Sequence, residues 1–141
     1  MVTVDGVRSF AGTLPRAYEV VVRGRLKFRV GRIVFLSFSH DETLMGFGFP
    51  KEWREALVES EPEKFMLPRA SDLRFNWAVV RLAEIEEAEM RDLVLDAWEM
   101  VVPQKVSAPY RGPGSRAAVG VAQTSVDRIA SRVVDDRGGA P

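Results

Sequence analysis

The sequence predicts an α+β fold, in which an antiparallel sheet packs against helices on one of its faces. Strand-like segments follow one another closely between residues 17 and 49, separated by short turns. Segments with helical periodicity lie before and after them, and the longest comes late in the chain. Consecutive hairpin-linked strands followed by helices are typical of this class.

The amino terminus carries the first helical pattern. Its apolar residues recur at spacings of three and four: Val4, Val7, Phe10, Ala11 and Leu14. Thr3 or Asp5 can cap the start of the helix, and Pro15 marks its end.

A hairpin built from residues 23–38 organises the sheet. Leu26, Phe28 and Val30 alternate with three cationic residues, and successive side chains of a strand point to opposite faces. We therefore expect a half-buried strand whose outer, solvent-exposed face carries Arg25, Lys27 and Arg29. Gly31 interrupts the pattern before a more apolar strand at 33–39.

Two further strands complete this part of the sheet. The β-branched run around Val21 predicts a strand at 17–23 before the hairpin, and another strand is expected at 43–49 after it. Gly46 and Gly48 weaken that fourth strand and indicate a close approach of another group to its backbone.

Helical signals dominate the second half of the domain. Pro50 opens one helix, and Ser60 caps a second, short one that Pro68 ends. A polar loop at 69–76 leads into a strand at 77–82. The strongest helix is predicted over 86–102. Its apolar face comprises Met90, Leu93, Val94, Ala97, Trp98 and Val101.

The composition changes near residue 106. Residues 1–106 are expected to form the α+β domain, and 107–141 a tail rich in proline and glycine. One apolar pattern within the tail predicts a short helix near 124–134.

The charges are segregated although the formal net charge is zero. Residues 16–32 contain six basic side chains and one acidic one, whereas residues 41–99 contain fifteen acidic and seven basic ones. Such polarity can steer an anionic partner to the basic part of the surface. The alternative interpretation is that strands and helices carry different solubilising charges.

The residues of the sequence give little support for catalysis or for cofactor binding. The chain has no cysteine and one histidine, His40, which rules out thiolate and multi-histidine metal sites. Ser39, His40 and Asp41 are sequence neighbours and cannot form a triad, because adjacent strand side chains point apart. No nucleotide-binding glycine motif occurs. We predict no enzyme activity, no cofactor and no membrane span, and expect a cytoplasmic location.

Four stretches resemble the MmcQ/YjbR-like family, whose members are described as having a double-wing DNA-binding motif. They are 28–35 (Phe-Arg-Val-Gly-Arg-Ile-Val-Phe), 65–68 (Phe-Met-Leu-Pro), 76–82 (Asn-Trp-Ala-Val-Val-Arg-Leu) and 96–105, which contains Trp98 and Pro103. The resemblance covers residues 7–106. It implies a sandwich similar to frataxin or secretion chaperones, and DNA as a partner.

The basic hairpin is the predicted contact surface. The candidate nucleic-acid-binding residues are Arg23, Arg25, Lys27, Arg29 and Arg32. Cations at alternate positions of a strand can contact phosphates of a nucleic acid, and the two turn arginines extend this cationic surface at both ends. The alternative is a protein-interaction module that binds an acidic protein or forms a homodimer through an arginine-rich face.

Overall fold

A computed structural model of the chain describes residues 1–111. Within them the α-helices are α1 (Val4–Ala11), α2 (Arg54–Ser60), α3 (Glu87–Glu99) and α4 (Gln104–Ser107). The strands are β1 (Ala17–Val22), β2 (Arg25–Val30), β3 (Ile33–Phe38), β4 (Leu44–Gly48), β5 (Phe65–Met66) and β6 (Trp77–Arg81). Single 3-10 turns occupy Lys51–Trp53, Ala70–Asp72, Leu82–Glu84 and Ala108–Arg111.

The six strands form one antiparallel sheet in the order β1-β2-β3-β4-β6-β5. The first four strands are sequential neighbours joined by hairpins, whereas β6 inserts between β4 and β5. The predicted α+β class is therefore confirmed, and so are the first helix and the four sequential strands.

The core face of the sheet packs against the helices. The strand registers place Phe28, Leu36, Phe47 and Ala78 in one row across it, and all four are buried. From α3, the buried side chains are Met90, Val94, Ala97 and Trp98. The helix predicted over 86–102 therefore buries its expected face.

The opposite, outer face carries the alternate residues. The registers align Val20, Lys27, Ser37, Gly46, Val79 and Met66 in one row across the six strands. A β-bulge between β2 and β3 shifts the register at Phe28 and Arg29. Because of this shift, the consecutive residues Phe35 and Leu36 are both buried.

The amino-terminal helix begins at the predicted cap, since the Thr3 hydroxyl oxygen accepts a hydrogen bond from the Gly6 amide at 3.2 Å. The segment between α1 and β1 is held to α3, because the Trp98 indole N–H donates a hydrogen bond to the Pro15 carbonyl oxygen at 2.9 Å. Trp98 is thus a core anchor, as its position on the apolar face predicts.

The short helix predicted to begin at Ser60 is wrong. The chain makes a turn there, and Phe65–Met66 forms β5 on the far side of β6. Phe65 pairs with Val80, and Phe65 is buried. Pairing with a strand that comes later in the chain overrides the local helix-start signal.

Ordered structure continues past the predicted boundary at residue 106. α4 includes Ser107, whose side chain is buried, and the ring of Tyr110 meets that of Trp98 edge-on at 5.0 Å between centroids. The helix predicted near 124–134 lies outside the described residues. None of the helices in residues 1–111 is long and apolar enough to cross a membrane.

Candidate anion-binding groove

The five predicted contact residues are spread along the whole of β2. Arg23 (φ 53°) and Gly24 (φ 77°) form the two-residue turn between β1 and β2, where both left-handed conformations suit a type I′ hairpin. Arg32 follows Gly31 (φ 60°) in the turn at the other end of β2. Arg23 and Arg32 therefore lie at opposite ends of the strand.

The three strand cations lie on the outer face, as the alternation predicts, but the prediction that they are exposed is wrong. Arg25, Lys27 and Arg29 are half-buried. Arg25 Nε donates to the Phe38 carbonyl at 3.1 Å, and Lys27 Nζ lies 3.2 Å from Ser37 Oγ. These three side chains are half-buried because residues 66–77 fold over the outer face of the sheet and form a cover there.

Two adjoining cavities lie beside this cover on the outer face of the sheet, and we call them together the outer-face groove. Their volumes are about 700 and 320 Å³. The larger one extends to the carboxyl-terminal end of α3, where Ala97, Met100 and Val101 line it. Both are lined by Arg25, Ser37, Arg69, Asp72 and Trp77. The larger one is also lined by Lys27 and Arg32, and the smaller one by His40 and Gly46.

The charge of the groove is predominantly positive. Its charged lining residues are Arg25, Lys27, Arg32 and Arg69, with Asp72 as the acid. Asp72 is already paired with Arg69 at 3.2 Å. The groove therefore carries a surplus of positive charge that an anion would neutralise.

Lys27 lies at the centre of this charge. Burial lowers the pKa of Lys27, and the positive charges of Arg25 and Arg69 lower it further. Asp72 acts in the opposite direction but does not compensate. The protein thus holds a lysine where its charged form is disfavoured, and perturbed pKa values of this kind cluster at functional sites.

A buried arginine holds the wall of the groove. The guanidinium of Arg54, on α2, donates to the carbonyl oxygens of Leu73, Phe75 and Trp77 at 2.8–3.0 Å. Arg54 is only 8% exposed. Because one rigid guanidinium binds two carbonyl groups of the loop and that of Trp77 at the start of β6, the path of the loop is fixed relative to the sheet.

Two of the predicted residues lie outside the groove lining. Arg23 lines neither cavity. Arg29 also lines neither, and its Nε is buried without a hydrogen-bond partner among the described residues. Arg29 is close enough to Lys27 to lower its pKa, although more weakly than Arg25 does.

Sequence reasoning missed Arg69 and Asp72 altogether and assigned Trp77 only to a strand. Arg69 and Asp72 fall in a stretch that reads as a polar loop, and nothing local indicates that this loop folds over β2 and β3. The exposed aromatic ring of Phe75 was missed for the same reason.

The segment around His40 does not form a catalytic arrangement. Ser39 Oγ donates to Asp41 Oδ1 at 2.7 Å, and Thr43 donates to the same oxygen through its amide and its hydroxyl. These hydrogen bonds lower the pKa of Asp41 and close the β3–β4 turn. Among residues 1–111, no cluster of His, Asp or Glu has the composition of a metal site.

The comparisons agree with this architecture. A solved structure, the crystal structure of the Deinococcus radiodurans protein DR2400 with domain DUF419, matches with a TM-score of 0.61. The match has 19% identity and covers 85% of this chain and 89% of that one. At this identity the match supports the fold alone.

No curated protein matches the chain. The family model named YjbR matches residues 12–100, which contain all six strands and most of the groove lining. Because the match spans more than half of the sequence, this chain belongs to the YjbR family.

Proposed function

We propose that this protein is a binding module for single-stranded nucleic acid, which it holds in the outer-face groove. The observation that carries the proposal is the half-buried Lys27, held between Arg25 and Arg69 with its pKa lowered. Concentrating cations at this place costs folding free energy in the free protein. A bound polyanion offsets that cost, because each phosphate contact replaces the repulsion with attraction.

The shape of the groove favours a single strand over a duplex. A duplex is stiff and presents its phosphates on a convex surface. Arg25 and Lys27 lie half-buried beneath the cover, where a duplex cannot reach them without moving residues 66–77. A flexible single strand can enter the groove with its phosphates against the floor.

The rim of the groove supplies apolar surface for bases. Phe75 is 51% exposed, with the Arg74 guanidinium 4.8 Å from its ring centroid, and Ile33 is 56% exposed. Bases stack on exposed aromatic rings with little regard to sequence. We therefore expect weak sequence preference.

The test is fluorescence anisotropy with a labelled oligothymidine and a matched duplex. If about three phosphates are neutralised, the affinity for the single strand falls roughly twenty-fold between about 50 and 200 mM salt. The variants K27Q and R69Q should each weaken binding several-fold. The exposed Lys105, which does not line the groove, provides the control variant K105Q.

The alternative is an acidic peptide, which the apolar rim at Ile33, Phe75 and Met100 also favours. Competition with polyglutamate separates the two partners. Displacement of the oligonucleotide by a far lower concentration of polyglutamate than of unlabelled oligothymidine would contradict the nucleic-acid proposal. So would equal binding by K27Q and the unmodified protein.

A further inference from the structure

Strand β1 is an open edge of the sheet. The strand order leaves β1 and β5 at the two edges, but β5 has only two residues whereas β1 has six. The register between β1 and β2 is continuous over all six residues, so no bulge twists this edge away. Long regular edge strands offer unpaired backbone groups to another strand.

The side chains of β1 lack the usual protection against such pairing. Glu19 is its single charged residue, and the strand contains neither lysine nor proline. Glu19 is itself held by Arg8, whose guanidinium lies 2.9 Å away. Val21 is 65% exposed and Tyr18 45% exposed, so apolar surface remains uncovered along the edge.

We propose that β1 pairs with β1 of a second copy of this chain, antiparallel, about a twofold axis at Val21. In this register Val21 faces its own counterpart, and Val20 faces Val22 of the second copy. Directly opposed β-branched side chains stabilise antiparallel pairs. The exposed valine then becomes the centre of the contact.

Charge complementarity selects this register. It brings Glu19 beside Arg23, which begins the β1–β2 turn of the second copy, once on each side of the axis. Arg23 is exposed, and its side chain makes no hydrogen bond or ion pair among residues 1–111. A carboxylate has lone pairs enough to hold Arg8 and a second guanidinium together. An axis at Glu19 would instead oppose two carboxylates, which is unfavourable.

The pairing also joins the two outer faces. A twofold axis perpendicular to the sheet keeps the outer faces of both copies on the same side. The two Lys27 residues are then three strand spacings apart across the sheet and two residues apart along the strands, roughly 16 Å at about 4.8 Å per spacing and about 3.3 Å per residue. The result is a twelve-stranded sheet whose outer face carries the β2 cations of both copies.

The test measures self-association of the full chain by sedimentation velocity over a range from micromolar to submillimolar concentration. The unmodified protein should dimerise. V21K and V21E should each weaken the dimer at least tenfold, because identical charges meet at the axis, and an equal mixture of the two should recover it. V21T, which keeps the branched shape without charge, should dimerise like the unmodified protein.

Three results would overturn the proposal. A monomer at every concentration would exclude the pairing. A V21K variant that dimerises as well as the unmodified protein would place the contact elsewhere, as would a mixture of V21K and V21E that stays monomeric. Circular dichroism of each variant checks folding, which the exposure of Val21 should leave intact.

Discussion

The indole of Trp77 lies directly over the backbone of Gly46. A Cβ atom built on Gly46 would be 2.6 Å from the indole nitrogen and 2.8 Å from two ring carbons. Gly46 and Trp77 lie on neighbouring strands, β4 and β6, and both line the outer-face groove. The glycine thus makes room for the ring that forms part of the groove wall, and the close approach predicted at Gly46 is to a side chain.

The substitution G46A should therefore displace Trp77. We expect the free energy of unfolding to fall by roughly 1–3 kcal/mol, the usual cost of forcing extra volume into a packed site. Urea unfolding measures it. G48A is the matched control, because a Cβ there would lie 3.6 Å from Ala97 Cβ, an ordinary contact. Equal losses in the two variants would contradict this account of Gly46.

Because of Lys27, the free energy of unfolding should change with pH in the alkaline range. The pKa of Lys27 is lowered in the folded state by burial and by Arg25, so above that pKa the unfolded chain binds more protons than the folded one. Stability attributable to Lys27 therefore rises as the pH rises from the lowered pKa towards the ordinary lysine value of about 10.4. Relative to K27M, the unmodified protein should gain stability over this range in urea unfolding. A constant difference, or one of opposite sign, would contradict the assignment.

Lys64 should show the opposite pH dependence. It pairs with Glu61 at 2.9 Å and with Glu89 at 3.1 Å, and the hydrogen bond to Glu61 is the main cause that raises its pKa. The stabilisation is complete below the ordinary lysine pKa and is lost as the pH rises through the raised value. K64Q should lose about 1 kcal/mol at neutral pH, since the pairs are partly exposed. The loss should shrink at high pH. R91Q, which breaks the exposed pair with Glu87, should lose less.

Arg54 should stabilise the fold by fixing the loop at 70–76. Replacing Arg54 by lysine removes the planar guanidinium that donates hydrogen bonds to the carbonyl groups of Leu73, Phe75 and Trp77. We expect R54K to lose roughly 2–4 kcal/mol, because buried hydrogen bonds to a charged group are lost and carbonyl groups are left unsatisfied. Limited proteolysis should detect earlier cleavage within 70–76. Unchanged proteolysis and stability would contradict the role of Arg54 in fixing the loop.

The path of the loop at 70–76 depends on a buried polar residue whose burial cannot be predicted from its neighbours in the sequence. Arg54 lies within a predicted helix, where a cationic residue is expected on the solvent-exposed face, although the structure buries it. Its burial depends on carbonyl groups that lie about twenty residues further along the chain. No local pattern records that pairing, so the groove wall was unpredictable from the residues around Arg54.

The sequence by itself determined the first helix, the hairpin from β2 to β3, and the buried face of α3. Each depends on periodicity and turn residues within one or two dozen positions, such as the alternation around Phe28 and the glycine at 31. It also determined that Arg25, Lys27 and Arg29 share one face of the sheet.

Only the tertiary structure decided what that face is like. Residues 66–77 fold across it, bring Arg69 and Asp72 to Lys27, and convert an expected open patch into a half-buried groove. Strand β5 exists because Phe65 finds a partner in β6. Both outcomes depend on contacts between segments distant in the chain, and the free energy of such contacts comes from packing and pairing that local periodicity does not encode.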